Sequence, residues 1–252
     1  MNSPRLAASV ILARSASNGF ELYMTRRSAY SGFAPGAFVF PGGTVEVQDE
    51  QRAAKAQTLG LEGERLAETR VEIGAAVAIA ALRELFEEAG ILIASAFDGT
   101  PIGLPAIKEA GVASARLLVC RGDQTFTEFL RQRGWYTDAR VLAAFSHWIT
   151  PVSEPRRYDT YFFVAAAPYD EAGADAFETH DGVWLAPSQA LDRHRAGTLH
   201  LVFPTIKHLE RLAAFDSLES VLRFARSKPI VTVLPAPATD GFDLPETLER
   251  AW

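Results

Sequence analysis

The sequence predicts an α/β (α+β) fold, because strand and helix signals follow one another along the chain. Two apolar runs, at 6–13 and 20–26, are separated by an Asn-Gly turn signal and predict a β-hairpin. Residues 72–89 are rich in Ala, Val, Ile and Leu and contain no Pro, and a glycine follows at position 90. This pattern predicts a long helix that ends at the glycine.

The remaining elements are predicted in chain order from the same signals. A charged, Ala-rich stretch at 49–70 predicts a helical excursion, and 91–94 predicts a short strand. Further helices are predicted at 125–133, with a cap at Thr125 or Asp123, and at 137–144. Strands at 145–151 and 155–164 follow, then helices at 187–195, 204–215 and 218–227 and an extended Pro-rich tail from 229.

Composition excludes several classes of protein. The chain has 252 residues, of which 48% are hydrophobic and 22% charged, as in ordinary globular proteins. Its net charge of −6 argues against non-specific binding to nucleic acid, which needs a basic surface. Cys120 is the single cysteine, so an internal disulfide is excluded and a reducing compartment is predicted. No apolar run approaches the ~20 residues of a membrane span, and no signal peptide is visible.

The predicted helix at 72–89 carries an acidic face. Glu84, Glu87 and Glu88 lie three and four positions apart and therefore project in the same direction. Carboxylates this close repel one another and raise one another's pKa values, and a divalent cation would remove that penalty. Hard oxygen ligands suit Mg²⁺ or Mn²⁺. The alternative is a solvated acidic patch near a helix end.

The run Arg83-Glu84-Leu85-Phe86-Glu87-Glu88-Ala89-Gly90-Ile91 resembles the second half of the Nudix box of pyrophosphohydrolases at every position. That box reads Gly, five residues, Glu, seven residues, then Arg-Glu-apolar-x-Glu-Glu-x-Gly-apolar. Upstream, Phe40-Pro41-Gly42-Gly43 forms a glycine turn after an apolar strand, as in the same family. The resemblance implies a Nudix-type α/β/α sandwich, in which helices cover both sides of a mixed sheet.

The first half of the box departs from the family pattern. Gly43 and Arg83 are 83 − 43 = 40 positions apart instead of 14, and the expected glutamate position holds Ala75. The box is therefore interrupted, as in the peroxisomal coenzyme A diphosphatases of animals and their bacterial relatives. Asp49 falls at the acidic position when counted from Gly43, and we predict that it holds Arg83. Glu72 lies about 16 Å further along the predicted helix, too far for that task.

The resemblance assigns roles to particular residues. Glu84, Glu87, Glu88 and the carbonyl of Gly42 would bind the metal, and Arg83 would orient the carboxylates. The general base would be Glu84 or a later acid, for which Glu178 is our candidate. Candidate substrate contacts are arginines, since Arg binds phosphate bidentately: Arg156, Arg157 and Arg26. His147 is predicted to be structural and Cys120 a small core residue.

We therefore predict a metal-dependent pyrophosphohydrolase that cleaves a nucleoside diphosphate linked to another group, with coenzyme A or acyl-coenzyme A favoured. ADP-ribose or NADH, or a non-catalytic module that senses a nucleotide or binds a protein, are the alternatives. One domain should cover 1–252, with inserts at about 50–71 and 95–144 and C-terminal helices at about 187–227. The second insert would shape substrate choice or form a homodimer contact. The chain does not end in Ser-Lys-Leu, so the expected location is the cytoplasm.

Overall fold

A mixed β-sheet lies at the centre of the computed structural model, which describes residues 3–28, 34–67, 72–168, 182–238, 241–245, 248 and 252. The strands are β1 (Arg5–Ala16), β2 (Gly19–Arg26), β3 (Phe38–Val39), β4 (Gly42–Thr44), β5 (Thr58–Leu59), β6 (Leu61–Glu62), β7 (Arg65–Leu66), β8 (Thr137–Asp138), β9 (Ala143–Ile149), β10 (Tyr158–Ala166), β11 (Gly182–Leu185), β12 (Thr232–Val233), β13 (Ala236–Ala238) and β14 (Gly241–Asp243). The helices are α1 (Val47–Glu50), α2 (Arg52–Ala56), α3 (Ala75–Ala89), α4 (Leu104–Glu109), α5 (Val112–Arg121), α6 (Phe126–Gln132), α7 (Pro187–Arg195), α8 (Phe203–Leu212) and α9 (Leu218–Ser227).

The main sheet has the strand order β11-β2-β1-β10-β9-β12, with β3 beside β2 and β4 beside β1. β1 pairs in parallel with β10, whereas β1–β2 and β9–β10 are antiparallel. The predicted hairpin of β1 and β2 and the predicted mixed sheet are both confirmed. The pairing of β1 with β10 places a strand from the second half of the chain beside the first strand.

Both faces of the sheet are buried under helices. Along β1, Ile11 and Ala13 face a core that includes residues of α7, α8 and α9. Val10 and Leu12 point the other way, into a core shared with α3. This alternation follows from the two-residue period of a strand, and because both faces are covered β1 is apolar almost throughout. The predicted α/β/α sandwich is therefore confirmed.

The region 95–144 adds a smaller core of its own. Aromatic side chains of α6 stack against Phe86 of α3, with a ring-centre distance of 5.1 Å between Phe86 and Phe129. Thr125 caps α6 and exchanges hydrogen bonds with Glu128, which confirms the predicted cap. This insert therefore packs directly on the helix that carries the acidic face.

Three predicted elements are corrected by the structure. The helical excursion at 49–70 is helical only in α1 and α2, because Gly60 and Gly63 adopt positive φ angles and the chain turns into short strands. The predicted helix at 137–144 is instead β8, one 3₁₀ turn and the start of β9, since β8 pairs with β5. The predicted strand at 91–94 is not a strand in the structure; Ser95, which follows it, exchanges backbone hydrogen bonds with Tyr136.

One other difference concerns a helix position. The long helix begins at Ala75 rather than at residue 72. Within the described ranges, none of the helices combines the length and apolar character needed to span a bilayer.

Candidate active site

The acidic face of α3 forms the first part of the site. α3 ends at Gly90, which adopts a left-handed conformation with φ of 68°, as the sequence predicted. Its apolar side chains, including Leu82 and Leu85, are buried against the sheet. This packing fixes the rotation of the helix, so that Glu84 and Glu88 face the glycine turn and the neighbouring cavity, while Glu87 contacts Arg83.

Arg83 organises these carboxylates from inside the protein. Its side chain is 1% exposed, and its Nη1 donates to Glu84 Oε1 at 2.8 Å and to Glu87 Oε1 at 3.2 Å. Its Nη2 also donates to the carbonyl of Thr44 at 3.0 Å. A guanidinium has a rigid fork of donors, so these bonds fix the positions of two carboxylates at once.

Asp49 completes the environment of Arg83. Its two carboxylate oxygens accept from Arg83 Nε at 2.9 Å and from Nη2 at 3.0 Å, and the Asp49 side chain is 1% exposed. The backbone N–H of Glu46 donates to the same carboxylate at 2.9 Å. The predicted contact between Asp49 and Arg83 is therefore confirmed, and it bridges the interruption of the box.

The glycine turn brings backbone close to the carboxylates. Gly42 donates its N–H to Glu88 Oε2 at 2.9 Å, and β4 pairs with β1. A Cβ atom on Gly42 would lie 2.4 Å from the carbonyl oxygen of Ala8, and one on Gly43 would lie 2.3 Å from Glu84 Oε1. Gly42 therefore excludes a side chain, because the neighbouring backbone is too close, whereas a side chain at Gly43 would displace the carboxylate of Glu84.

Burial shapes the electrostatics of the acidic face. Loss of solvent raises the pKa of Glu84 to about 7, with a further increase from Glu88 and Glu87 and an opposing effect of Arg83. Burial also raises the pKa values of Glu87 and Glu88. Three carboxylates, those of Asp49, Glu84 and Glu87, contact the guanidinium of Arg83, and Glu88 lies beside them against Gly42.

These residues fit a divalent cation by their donor chemistry. Carboxylate and carbonyl oxygens are the ligands that Mg²⁺ and Mn²⁺ prefer, and a cation would relieve the repulsion between the neighbouring carboxylates. Among the residues that the structure describes, no three His, Cys, Asp or Glu side chains already converge on one point. The reason is visible in the contacts, since Glu84 and Glu87 are directed to Arg83 and Glu88 to Gly42.

A cavity of about 660 Å³ opens beside the acidic helix. Its polar part is lined by Glu84, Glu88 and the two glycines of the turn, together with Arg5 and Arg27. Arg5 is held by a hydrogen bond from Nη2 to Thr44 Oγ1 at 2.9 Å, and Arg27 acts electrostatically on Glu88. The volume lies in the range of small-molecule sites. Carboxylates and guanidinium groups on one cavity suit a phosphate-containing ligand with a metal ion.

The predicted substrate arginines lie elsewhere. Arg26 is exposed at the end of β2 and is not among the cavity-lining residues, whereas its neighbour Arg27 is. Arg156 is exposed, and Arg157 donates from Nε to the carbonyl of Thr150 at 3.0 Å, which orders the connection into β10. The sequence placed both arginines within a strand at 155–164, whereas β10 begins only at Tyr158.

The other predicted residues have different outcomes. Glu178 lies outside the described residues. His147 bonds to Asp159 and to Thr232 Oγ1 and stacks on Tyr161, so it joins three adjacent strands as a structural histidine. Cys120 is exposed rather than in the core, with its Sγ 3.6 Å from the carbonyl of Glu87.

Arg116 of the insert is a site residue that the sequence did not reveal. Its Nε donates to the carbonyls of Phe86 at 3.1 Å and Glu87 at 2.8 Å, and its Nη2 to that of Glu88 at 3.2 Å. The carbonyl of Phe86 also accepts from the backbone N–H of Gly90, and the helix dipole favours a cation at this end of α3. The insert therefore caps the turn of α3 that presents Glu87 and Glu88.

Comparison with known structures and proteins identifies the class. A crystal structure of a Nudix hydrolase from Alicyclobacillus acidocaldarius matches with a TM-score of 0.72 and 26% identity, and covers 88% of this chain and 97% of that one. Together with the arginine-centred acidic helix, this likeness defines the chain as a Nudix hydrolase.

The family follows from the sequence comparisons. A family model described as the NUDT19 Nudix domain matches residues 51–212, which is more than half of the chain. The acyl-coenzyme A diphosphatase NUDT19 of Gallus gallus is 30% identical over 90% of this chain and 72% of its own length. The human protein of the same description is 27% identical, over 84% of this chain and 65% of its own length. The chain belongs to the NUDT19 Nudix family.

Proposed function

We propose that the chain is a metal-dependent diphosphatase that hydrolyses the diphosphate of a nucleotide linked to another group, with coenzyme A or acyl-coenzyme A as the preferred substrate. The observation that carries this proposal is the cavity lined by Glu84, Glu88 and the glycine turn, with Arg83 and Asp49 buried behind them. The substrate preference is supported by the relatives described as acyl-coenzyme A diphosphatases.

Three kinds of residue would take part in the reaction: metal ligands, arginines and a general base. Glu84, Glu87, Glu88 and the carbonyl of Gly42 would hold Mg²⁺ or Mn²⁺. The bound cation would neutralise diphosphate charge and make a water more acidic. Arg83 keeps the carboxylates in position, and Arg5 and Arg27 provide positive charge for the phosphates at the cavity wall. Glu84, or Glu178 as predicted from the sequence, would accept a proton from the attacking water as the phosphoanhydride bond breaks.

The test is a phosphoanhydride hydrolysis assay on coenzyme A, octanoyl-coenzyme A, ADP-ribose and NADH, with Mg²⁺ or Mn²⁺ and with a chelator. We expect metal-dependent cleavage of the two coenzyme A compounds. We expect Glu87→Gln to lower kcat/KM at least tenfold, since even residues outside a metal's ligand shell contribute that much. Glu109→Gln, which changes an exposed glutamate at the end of α4, should behave as wild type.

The alternatives give distinct results in the same assay. Faster cleavage of ADP-ribose or NADH would identify the other substrate class. Binding of a nucleotide without hydrolysis under either metal would identify a non-catalytic module. Wild-type turnover by Glu87→Gln would contradict the metal assignment. The cytoplasmic location, the homodimer and the single domain stay predictions from the sequence.

A further inference from the structure

The cavity beside α3 has a second, apolar part. Its lining residues there are aromatic or aliphatic: Trp148, Phe162, Leu201, Phe203, Pro235 and Phe242. Three of them form a continuous row, with ring centres 6.3 Å apart for Trp148 and Phe203 and 6.1 Å apart for Phe203 and Phe242. We call Trp148, Phe203 and Phe242 the aromatic wall. The same cavity therefore joins charged groups suited to phosphate with a wall suited to an apolar group.

The outer part of this wall comes from the C-terminal segment. Phe242 lies in β14, which pairs with β13 as a hairpin, and Pro235 lies between that hairpin and β12. β12 adds to the edge of the main sheet beside β9, with Val233 opposite Trp148. These residues follow the end of the region that matches the family model, at 212, so the match assigns them no role.

β12 holds this segment at the sheet edge through a side-chain contact as well as through backbone pairing. Thr232 Oγ1 lies 2.9 Å from His147 Nδ1, and the other ring nitrogen of His147 bonds to Asp159 of β10. Val233 is fully buried in the same core as Trp148. The segment is thus fixed to the sheet immediately before it reaches the cavity, which positions Pro235 and then Phe242 as parts of its wall.

The chemistry of the wall selects its occupant. The side chains of Phe203, Pro235 and Phe242 have no hydrogen-bond donor or acceptor. A purine base would stack on the two rings, but these three side chains would offer its ring nitrogens and amino group no hydrogen-bond partner. An alkyl chain carries no such groups and gains from leaving water. The wall therefore suits the acyl group, which in acyl-coenzyme A is joined through the pantetheine arm to the side of the diphosphate away from the nucleoside.

Resting on the proposed function, we infer that the C-terminal hairpin is a specificity element of this enzyme and that Phe242 contacts the apolar arm of the substrate. Phe242 is half-buried. Its ring packs towards Phe203, and it lines the cavity. Its contribution should grow with the length of the apolar arm and vanish for a substrate that lacks one.

The test compares Phe242→Ala with wild type on octanoyl-coenzyme A, coenzyme A and ADP-ribose. We expect KM for octanoyl-coenzyme A to rise by roughly tenfold, as loss of one aromatic contact implies. KM for ADP-ribose and kcat for octanoyl-coenzyme A should change less than twofold, because the metal-binding carboxylates are untouched. Calorimetry with a chelator present measures the dissociation constants of octanoyl-coenzyme A and coenzyme A for wild type and Phe242→Ala in the absence of turnover. In Phe242→Leu, KM for octanoyl-coenzyme A should return most of the way to the wild-type value.

Leu234→Ala is the matched control. Leu234 lies in the same segment, is 48% exposed and is not among the cavity-lining residues, so its loss should leave all three KM values unchanged. Equal rises of KM for all three substrates would show that the wall binds the nucleoside and would overturn the inference. Unchanged binding and KM for octanoyl-coenzyme A in Phe242→Ala, or no binding and no turnover of it by wild type, would also overturn it. Octanoyl-coenzyme A that binds wild type and Phe242→Ala with different affinities but is not hydrolysed would support this inference and refute the proposed function alone.

Discussion

Asp49 and Arg83 form the ion pair on which the acidic site depends. Both side chains are 1% exposed, and the pair is bidentate. A buried ion pair contributes little net stability compared with an apolar replacement, but loss of one partner leaves an uncompensated charge. Arg83 would then keep only Glu84 and Glu87 as charged partners, and it would pull on the carboxylates that should hold the metal.

We therefore predict that Asp49→Ala lowers the free energy of unfolding by about 3 kcal/mol and also lowers kcat for diphosphate hydrolysis. Urea denaturation and initial rates measure the two effects. Glu50→Ala removes an exposed acid from the next position of the same helix and should change stability by less than about 0.5 kcal/mol. Equal stabilities of Asp49→Ala and wild type would show that the ion pair is not structural.

At the scale of residues, the sequence predicted what local spacing determines. Glu84, Glu87 and Glu88 share a face because of helix geometry, and Asp49 was found by counting from the glycine turn. Arg116 was not found, and Arg26 was chosen where its neighbour Arg27 lines the cavity, because these roles depend on how α5 packs against α3 and on where the cavity lies. No spacing along the chain encodes those contacts, since each joins elements that are distant in sequence.

Among the elements, α3 depends on the insert for its C-terminal turn. The guanidinium of Arg116 contacts three consecutive carbonyls there, and Phe86 stacks on Phe129 from the same insert. Glu87 and Glu88 belong to this last turn. The insert at 95–144 therefore supports the site by contacting the last turn of α3. It does not cover the cavity, because no residue from 95–144 lines it.

We predict that Arg116→Ala lowers the free energy of unfolding by about 1–2 kcal/mol, because charge-assisted hydrogen bonds to the helix end are lost. It should also lower kcat more than it changes KM, since the last turn presents two of the carboxylates. Arg116→Lys, which keeps the charge, should be intermediate in both measurements. Arg121→Ala, an exposed arginine at the end of the same helix, is the control. A wild-type kcat in Arg116→Ala would show that this contact from the insert does not support catalysis.

The elements that the sequence predicted well are those with a strong hydrophobic period and clear ends. β1, β2, α3 and α9 belong to this group, and the predicted bounds of α9 agree with the structure. The errors fall where long-range pairing overrides local preference, as in β5 with β8, and where glycines at 60 and 63 redirect the chain. The tail beyond 229 carried no local signal, although its residues reach the cavity.

For the molecule as a whole, His208 joins the sheet to the helical layer over it. Its Nδ1 donates to the carbonyl of Pro204 at 2.6 Å, and its Nε2 lies 2.7 Å from the hydroxyl of Ser146. Burial lowers the pKa of His208 to about 3, and the positive charge of Lys228 lowers it further. His208 therefore stays unprotonated in the native protein at a pH where the same side chain in the unfolded chain, with an ordinary histidine pKa of about 6.5, is protonated.

This difference makes stability depend on pH. Because the folded pKa is depressed, the contribution of His208 is fully present above about pH 6.5 and is lost as pH falls from there towards 3. Between pH 7 and pH 5 we expect about 2 kcal/mol of unfolding free energy to be lost through this residue. His208→Gln, which keeps a donor and an acceptor, should reduce that loss by about the same amount in urea denaturation at the two pH values. Equal losses in both proteins would contradict the assignment.

The bond between Asp49 and Arg83 also has a consequence for the detection of related enzymes. Two parts of one motif, separated by 26 extra positions (40 − 14 = 26), meet in space as if the intervening chain were absent. A search with a fixed-length pattern would therefore miss such chains in genomes. A pattern written as two halves joined by a gap of any length, with an acid six residues after the second glycine, would retrieve them.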